Sequence, residues 1–232
     1  MVPPMTGVLS FLDRICSGNG VRASFVTRIP EVAVSRDKWE TIARLKPAHR
    51  RAVEDLGFEW NNLWRAEQVH GNVVVQVPSE GAEGQIVEGA DGLVTCGRDQ
   101  VLLGIYVADC AAVYIRDCRT GALGLVHSGK KGTEQGAVLK AISKMSAEYG
   151  SDPYDLEVAV SPCIRPPRYE IDLPALLHEQ LSGVGIPPGQ IAISNDCTGA
   201  KIESYYSYRM EQGKTGRMLA LLGQRVNNAP RG

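Results

Sequence analysis

From Asn72 onward the chain strings together short runs of branched apolar residues, separated by Gly, Asp and Asn. The runs are Val73 to Val77, Leu93 to Thr95, Val101 to Val107, Ala112 to Ile115 and Ala122 to His127. Segments of this length and composition, bounded by turn residues, predict strands. Because the apolar residues follow one another rather than alternating with polar ones, the strands should be covered on both faces. Before this region, Trp39 and Ile42 precede Pro47, and Ala48, Ala52, Val53 and Leu56 follow it at near-helical spacing. A proline suits a first helical turn, so two short helices are expected, the second restarting at Pro47.

After the turn Gly129 to Gly132, apolar residues Val138, Ala141, Ile142, Met145 and Tyr149 mark an amphipathic helix ending before Gly150. Leu156 to Val160 returns as a strand. Asp172 as N-cap, Pro174 in the first turn and an apolar face of Leu173, Leu176, Leu177 and Leu181 predict a further helix, with Gly183 just past its end. Ile191 to Ile193 reads as a short strand. Ser204 to Leu222 mixes aromatic and basic residues without a period that decides its structure. Strands grouped in the middle with helices to either side point to a layered α/β arrangement, not a strict βαβ winding.

A length of 232 residues suits one α/β domain spanning 1–232. The 25 basic and 26 acidic side chains nearly cancel, so neither nucleic acid nor an anionic membrane is expected as a bulk partner. The apolar run within Met1 to Gly20 is broken by Asp13 and Arg14, unlike a secretory leader, and no stretch is long enough to span a bilayer. Six cysteines (Cys16, Cys96, Cys110, Cys118, Cys163 and Cys197) lack CxxC spacing in a chain too large to depend on staples. Reduced thiols and a cytoplasmic location are expected.

Candidate chemistry narrows to a few positions. Of the four histidines, His49 lies in a charged segment and His178 on the polar side of a leucine-rich helix; both read as surface residues. His70 and His127 each sit where an apolar segment meets a glycine turn, in Gln68-Val69-His70-Gly71 and Val126-His127-Ser128-Gly129. Cys110 closes the strongest strand in the same way. Two imidazoles and a thiolate suit zinc, with a fourth position left for water or substrate. The same residues also read as a small core cysteine and two hydrogen-bonding histidines, since no local spacing binds them together.

From about Trp64 to the C-terminus the sequence resembles the YfiH family, described first as laccase-domain or polyphenol-oxidase-like proteins and later as purine nucleoside phosphorylases. The resemblance rests on Gln68-Val69-His70-Gly71-Asn72, Ala90-Asp91-Gly92-Leu93-Val94-Thr95, Ala108-Asp109-Cys110 and Val126-His127-Ser128-Gly129. It continues through Tyr169-Glu170-Ile171, Asp196-Cys197-Thr198, Ser207-Tyr208-Arg209 and Thr215-Gly216-Arg217-Met218. It implies a layered α/β sandwich of mixed sheets flanked by helices, with zinc held by His70, Cys110 and His127. It also implies that Arg28 lies in the substrate or phosphate pocket. The chain departs from the family where Ser128-Gly129-Lys130-Lys131-Gly132 replaces Ala-Gly-Trp-Arg-Gly, which removes an aromatic wall. It departs again at Ile29-Pro30-Glu31 and at Pro167-Arg168.

Asp109, beside Cys110, orients a ligand or acts as a general base; equally, it caps backbone amides. Lys130 and Lys131 read as phosphate contacts or as a solvated turn, and Arg28, Arg209 and Arg217 as phosphate contacts or surface charges. Cys163 and Cys197 read as small buried residues. What the resemblance implies is a zinc-dependent phosphorylase of adenosine, inosine, guanosine and methylthioadenosine that also deaminates adenosine, with purine nucleosides and phosphate as its small-molecule partners. Two alternatives stand beside it. One is a copper-dependent polyphenol oxidase, for which four histidines are few; the other is a non-enzymatic metal-binding module.

Overall fold

The computed structural model describes residues 10–17, 20–78, 85–97 and 101–225. The region Met1 to Gly20, expected not to be a secretory leader, lies mostly outside them. Eleven strands form two sheets among the described residues. The first sheet joins β1 (Val21–Val26), β11 (Met218–Gln224), β6 (Leu102–Val107), β2 (Leu63–Ala66) and β4 (Ile86–Val87), in that spatial order. The second joins β10 (Ile191–Ile193), β9 (Leu156–Val160), β7 (Ala111–Asp117), β8 (Leu123–Ser128), β5 (Gly92–Thr95) and β3 (Val74–Gln76). Both are mixed: β2 runs parallel to β4 and β6, and β10 to β9, while β7, β8 and β5 pair antiparallel.

The apolar runs explain the layering. Along β6, Leu103, Ile105 and Val107 point to one side and Leu102 and Tyr106 to the other, the period of two that a strand imposes. The first set joins Phe25, Ala220 and Leu222 of its own sheet against Leu93, Tyr114, Leu125 and Ala159 of the second, forming a core between the sheets. On the far face of the second sheet, Val113, Ile115, Val126, Val158 and Val160 pack against α4 (Ala137–Tyr149) and α5 (Leu173–Gly183). On the far face of the first, Leu102, Leu63, Tyr106 and Leu219 meet Ile42 and Val53 of α2 (Lys38–Asp55). The order is thus helix, sheet, sheet, helix, as expected for the family resemblance. Two short helices complete the set, α1 (Asp13–Cys16) and α3 (Lys130–Glu134).

Two local expectations change. The segment around Pro47 is one helix of 18 residues, not two. Proline removes one backbone donor and crowds the preceding turn, at about 3 kcal/mol. That cost is offset by Ile42, Leu45, His49 and Val53, which recur on one face and are buried together. His49 is therefore not a surface residue: it is fully buried, its ring 5.5 Å from that of Tyr106, and among the described residues neither ring nitrogen has a hydrogen-bond partner. Burial pushes its pKa down to about 4. The undecided tail contributes β11, which lies between β1 and β6 and is buried along most of its length. His178 is exposed, as expected.

The strand registers bring all the chemistry to one end. Met218 pairs with Val107, Ala112 with His127, Gly92 with Val126, and Val113 with Val160. The carboxyl ends of β2, β6, β8 and β9 therefore meet the starts of β5, β7 and β11, where the chain crosses from one sheet to the other.

Candidate metal centre and its cleft

His70 lies in the loop from β2 to β3, Cys110 in the turn from β6 to β7, and His127 near the end of β8. Their ligand atoms lie within 4.8 Å of one another. An ion bound tetrahedrally at about 2.0–2.3 Å spaces its donors about 3.3–3.8 Å apart, so small side-chain rotations close this set onto a metal. Among the described residues it is the one group of three or more His, Cys, Asp or Glu side chains so placed.

The backbone around the donors is unusual. Gln68, His70 and Asp109 all have positive φ (66°, 62° and 82°), a region that costs non-glycine residues energy unless neighbours hold them there. Those neighbours are visible. Gln68 is buried, and its side-chain amide accepts from the Tyr106 N–H at 2.9 Å and donates to the Tyr106 carbonyl, fastening the loop to β6. Gly129 is needed for space, because a Cβ there would stand 2.6 Å from Cys110 Sγ.

Asp91, fully buried before β5, organises the centre. Its Oδ1 accepts from the His70 N–H at 2.9 Å and faces His127 Nδ1 at 2.8 Å; its Oδ2 accepts from the Gly71 N–H at 2.6 Å. The His127 N–H also donates to the Asp91 carbonyl at 2.7 Å. A proton fixed on Nδ1 leaves Nε2 as the donor toward Cys110, the second-sphere arrangement common at metal-binding imidazoles. Burial opposes ionisation of Asp91, but its bonds to His127, Gly71 and His70 hold the carboxyl below its usual pKa. Burial likewise opposes the Cys110 thiolate; His127 and His70 outweigh it and draw the thiol down to about 6. The His127 ring is raised to about 9 despite burial, by the Cys110 charge and the Asp91 carboxylate. The pair is thus a thiolate beside an imidazolium near neutral pH, ready to exchange a proton for a cation.

A cleft of about 660 Å³ opens over these donors, lined also by Lys38, Tyr106, Asp109, Lys130, Lys131, Tyr169, Tyr208, Arg209 and Arg217. A family model described as multi-copper polyphenol oxidoreductase laccase matches residues 32–172 and 167–225. The chain belongs to this laccase-like YfiH family. It is 27% identical to the purine nucleoside phosphorylase YlmD of Geobacillus stearothermophilus, over 96% of this chain and 92% of that protein. It is 31% identical to a purine nucleoside phosphorylase of Deinococcus radiodurans, over 87% of this chain and 86% of the relative. The crystal structure of the Bacillus licheniformis hypothetical protein YfiH matches with a TM-score of 0.79 at 23% identity, over 88% of this chain and 93% of the other, which shows the shared fold.

Within this YfiH-family chain the other candidate residues fall into two groups. Lys130 and Lys131 do line the cleft, on the first turn of α3. Asp109 lines it too, but both carboxylate oxygens are engaged: Oδ1 accepts from the Thr198 hydroxyl and Oδ2 from the Arg209 N–H, each at 2.7 Å. Capping is the role its bonds describe. Arg28, expected in the pocket, is not among the lining residues. Its guanidinium meets Glu211 at 2.7 Å, donates to the Tyr205 carbonyl and lies 4.4 Å from the centre of the Tyr206 ring. Its charge is satisfied within the fold, tying β1 to the segment before β11. Pro167 and Arg168 are exposed and outside the cleft lining.

The sequence pattern assigns no role to Asp91, Lys38, Tyr169 or Tyr208, which the structure places at the centre or along its cleft. Asp91 and both tyrosines lie inside the stretches that carry the family resemblance; Lys38 had no signal. The two tyrosines supply aromatic surface to the cleft. All six cysteines are free thiols, and among the described residues no helix is long and apolar enough to cross a membrane.

Proposed function

We propose that this chain is a zinc-dependent purine nucleoside phosphorylase that splits adenosine, inosine, guanosine and methylthioadenosine with phosphate, and that it also deaminates adenosine in the cytoplasm. The observation that carries the reading is the approach of two imidazoles and a thiolate, braced by buried Asp91, beneath a cleft of about 660 Å³. That volume lies within the range of small-molecule sites, about 300–1,000 Å³. The names of the relatives supply the substrate class. Two nitrogens and one thiolate suit zinc and leave a coordination position open. Zinc, when bound there, supplies Lewis acidity and a means of activating water near neutral pH.

The remaining work falls to the chain's own residues. Asp91 keeps His127 in the tautomer that presents Nε2. Asp109 acts as a positioning residue, holding the turn of Cys110 against the segments of Thr198 and Arg209. Tyr169 and Tyr208 offer faces for a purine, and Lys130 and Lys131 draw anions toward the cleft. In phosphorolysis a phosphate oxygen bonds to the ribose anomeric carbon as the glycosidic C–N bond breaks; the base leaves with the bonding pair and takes up a proton. In deamination water adds at the purine carbon bearing the amine, and ammonia leaves.

A copper-dependent polyphenol oxidase of the multicopper kind needs further clusters of imidazoles, and His49 and His178 lie apart from the one donor group among the described residues. The deciding experiment incubates zinc-loaded protein with adenosine, with and without phosphate, and separates adenine, inosine and ribose 1-phosphate by chromatography, with a phenol-oxidation assay alongside. Release of neither base nor inosine would leave the non-enzymatic metal-binding module as the better reading. Phenol oxidation would favour copper.

A further inference from the structure

Five Lys and Arg side chains line the cleft, and their pairing divides them. Lys130 and Arg209 share one carboxylate, Glu170, at 3.8 Å and 2.8 Å, and Arg209 also lies 4.9 Å from the centre of the Tyr169 ring. All three charged groups are about half exposed, so their charge is largely offset and screened. Lys38 and Arg217 differ. Neither has a carboxylate oxygen within 4.0 Å among the described residues. Lys38 Nζ donates to the Glu67 carbonyl at 3.1 Å and lies over the Trp39 ring, while Arg217 Nη1 donates to the Gly216 carbonyl at 2.7 Å and sits beside Tyr208.

The acids nearest to these two are already occupied. Glu67 Oε2 accepts from the Gly89 N–H at 2.8 Å, and Asp91 and Asp109 hold the bonds described above. Lys38 comes from the first turn of α2 and Arg217 from the residue before β11, so two rigid elements deliver two cations to one cleft. Burial holds both below their usual pKa, and the Arg217 charge adds to the effect on Lys38. Glu67 and Asp91 attract Lys38, and Cys110 and Asp109 attract Arg217, only from beyond ion-pair distance. Two partly desolvated like charges that line one cleft and repel each other are therefore stabilised by an anion that enters between them.

We infer that Lys38 and Arg217 form a phosphate subsite on the α2–β11 wall of the cleft, distinct from Lys130 and Lys131, that seats a tetrahedral phosphate dianion. The guanidinium offers a planar pair of donors and the ammonium a compact charge, which suits the several oxygens of such a group. The identification of the anion as a phosphate rests on the proposed nucleoside phosphorylase reading. Two sources share the chemistry: inorganic phosphate as co-substrate, or the 5′-phosphate of a purine nucleotide.

Calorimetric titration of the full-length, zinc-loaded protein tests the subsite without relying on turnover. The probes are inorganic phosphate, adenosine and adenosine 5′-monophosphate. Lys38→Gln and Arg217→Lys should each weaken phosphate binding by about tenfold or more, with adenosine changed less than about threefold. Lys140→Ala, at an exposed lysine of α4 outside the cleft lining, should change phosphate binding less than about threefold. If the monophosphate binds tighter than adenosine and Lys38→Gln erases the difference, the subsite takes a nucleotide phosphate. If only inorganic phosphate binding is lost, it seats the co-substrate. Wild-type protein that binds neither anion overturns the subsite, as does unchanged anion affinity in a folded Lys38→Gln variant. Intact phosphate binding with no turnover would remove the enzyme reading and leave the subsite standing.

Discussion

Asp91→Asn isolates the residue on which the centre is built. The substitution keeps size and shape but replaces one acceptor oxygen by an NH2 group. The remaining oxygen can still serve the His70 N–H and His127 Nδ1, at 2.9 Å and 2.8 Å in the wild type. The new NH2 would then face the Gly71 N–H, now 2.6 Å from Oδ2, as donor against donor. Losing one hydrogen bond to a charged group in a fully buried position costs about 1.5–3 kcal/mol. For a chain of this length that is a fall of roughly 3–12 °C in Tm. Zinc affinity should drop about 10–100-fold, the usual effect of removing a second-sphere partner.

The pH dependence sharpens the test. The Asp91 pKa is lowered in the fold, so its contribution is present above the unfolded value of about 3.9 and is lost as pH falls through the lower folded value. Wild type and variant should therefore differ most above about pH 5 and converge in acid. Zinc titration with a competing chelator, at pH 7 and again at pH 9.5, should show the larger loss at pH 9.5. At pH 7 the variant regains part of its affinity because His127, deprived of the carboxylate, gives up its proton more easily. Equal zinc affinity and equal Tm in the two proteins would refute the organising role of Asp91.

Four further outcomes follow from the same geometry. Protein purified without added metal should carry near-equimolar zinc by elemental analysis, and Cys110→Ala or His127→Ala should remove it, together with the conversion of adenosine, while circular dichroism still reports a folded chain. Gly129→Ala places a Cβ where Cys110 Sγ stands 2.6 Å away, so zinc affinity should fall about tenfold or more; unchanged affinity would mean the turn relaxes freely. Zinc binding should release about one proton near neutral pH, and its affinity should climb with pH until His127 loses its proton at about 9, which titration in buffers of different ionisation enthalpy measures. His49, neutral in the fold with a pKa of about 4, gives stability that is whole above about pH 6.5 and declines as pH falls toward 4, by about 3 kcal/mol. His49→Phe should flatten that slope in thermal melts, and an unchanged slope would place the acid lability elsewhere.

Much of the fold was legible in the chain because the relevant physics is local. The strands from β5 to β9 and the helices α4 and α5 were bounded to within a residue or two by continuous apolar runs, by glycine and by the caps Asp172 and Gly150. The donors His70, Cys110 and His127 were singled out by their positions at strand ends, although spacing by itself did not join them. What the chain alone determined was therefore where regular structure begins and ends, and which side chains were chemically able to hold a metal. The tertiary structure decided the matters that depend on distant partners. Pro47 stays inside α2 because the face around it is buried, and His49 is buried for the same reason. The tail becomes β11 because β1 and β6 present open edges to it. Arg28 is withdrawn from the cleft by Glu211 and Tyr205, and Asp91 joins the centre because antiparallel pairing sets Gly92 against Val126. Sequence patterns report the burial of a segment over one turn or one pleat; the pairing of charges and the meeting of loops depend on register across two sheets, which no local period encodes.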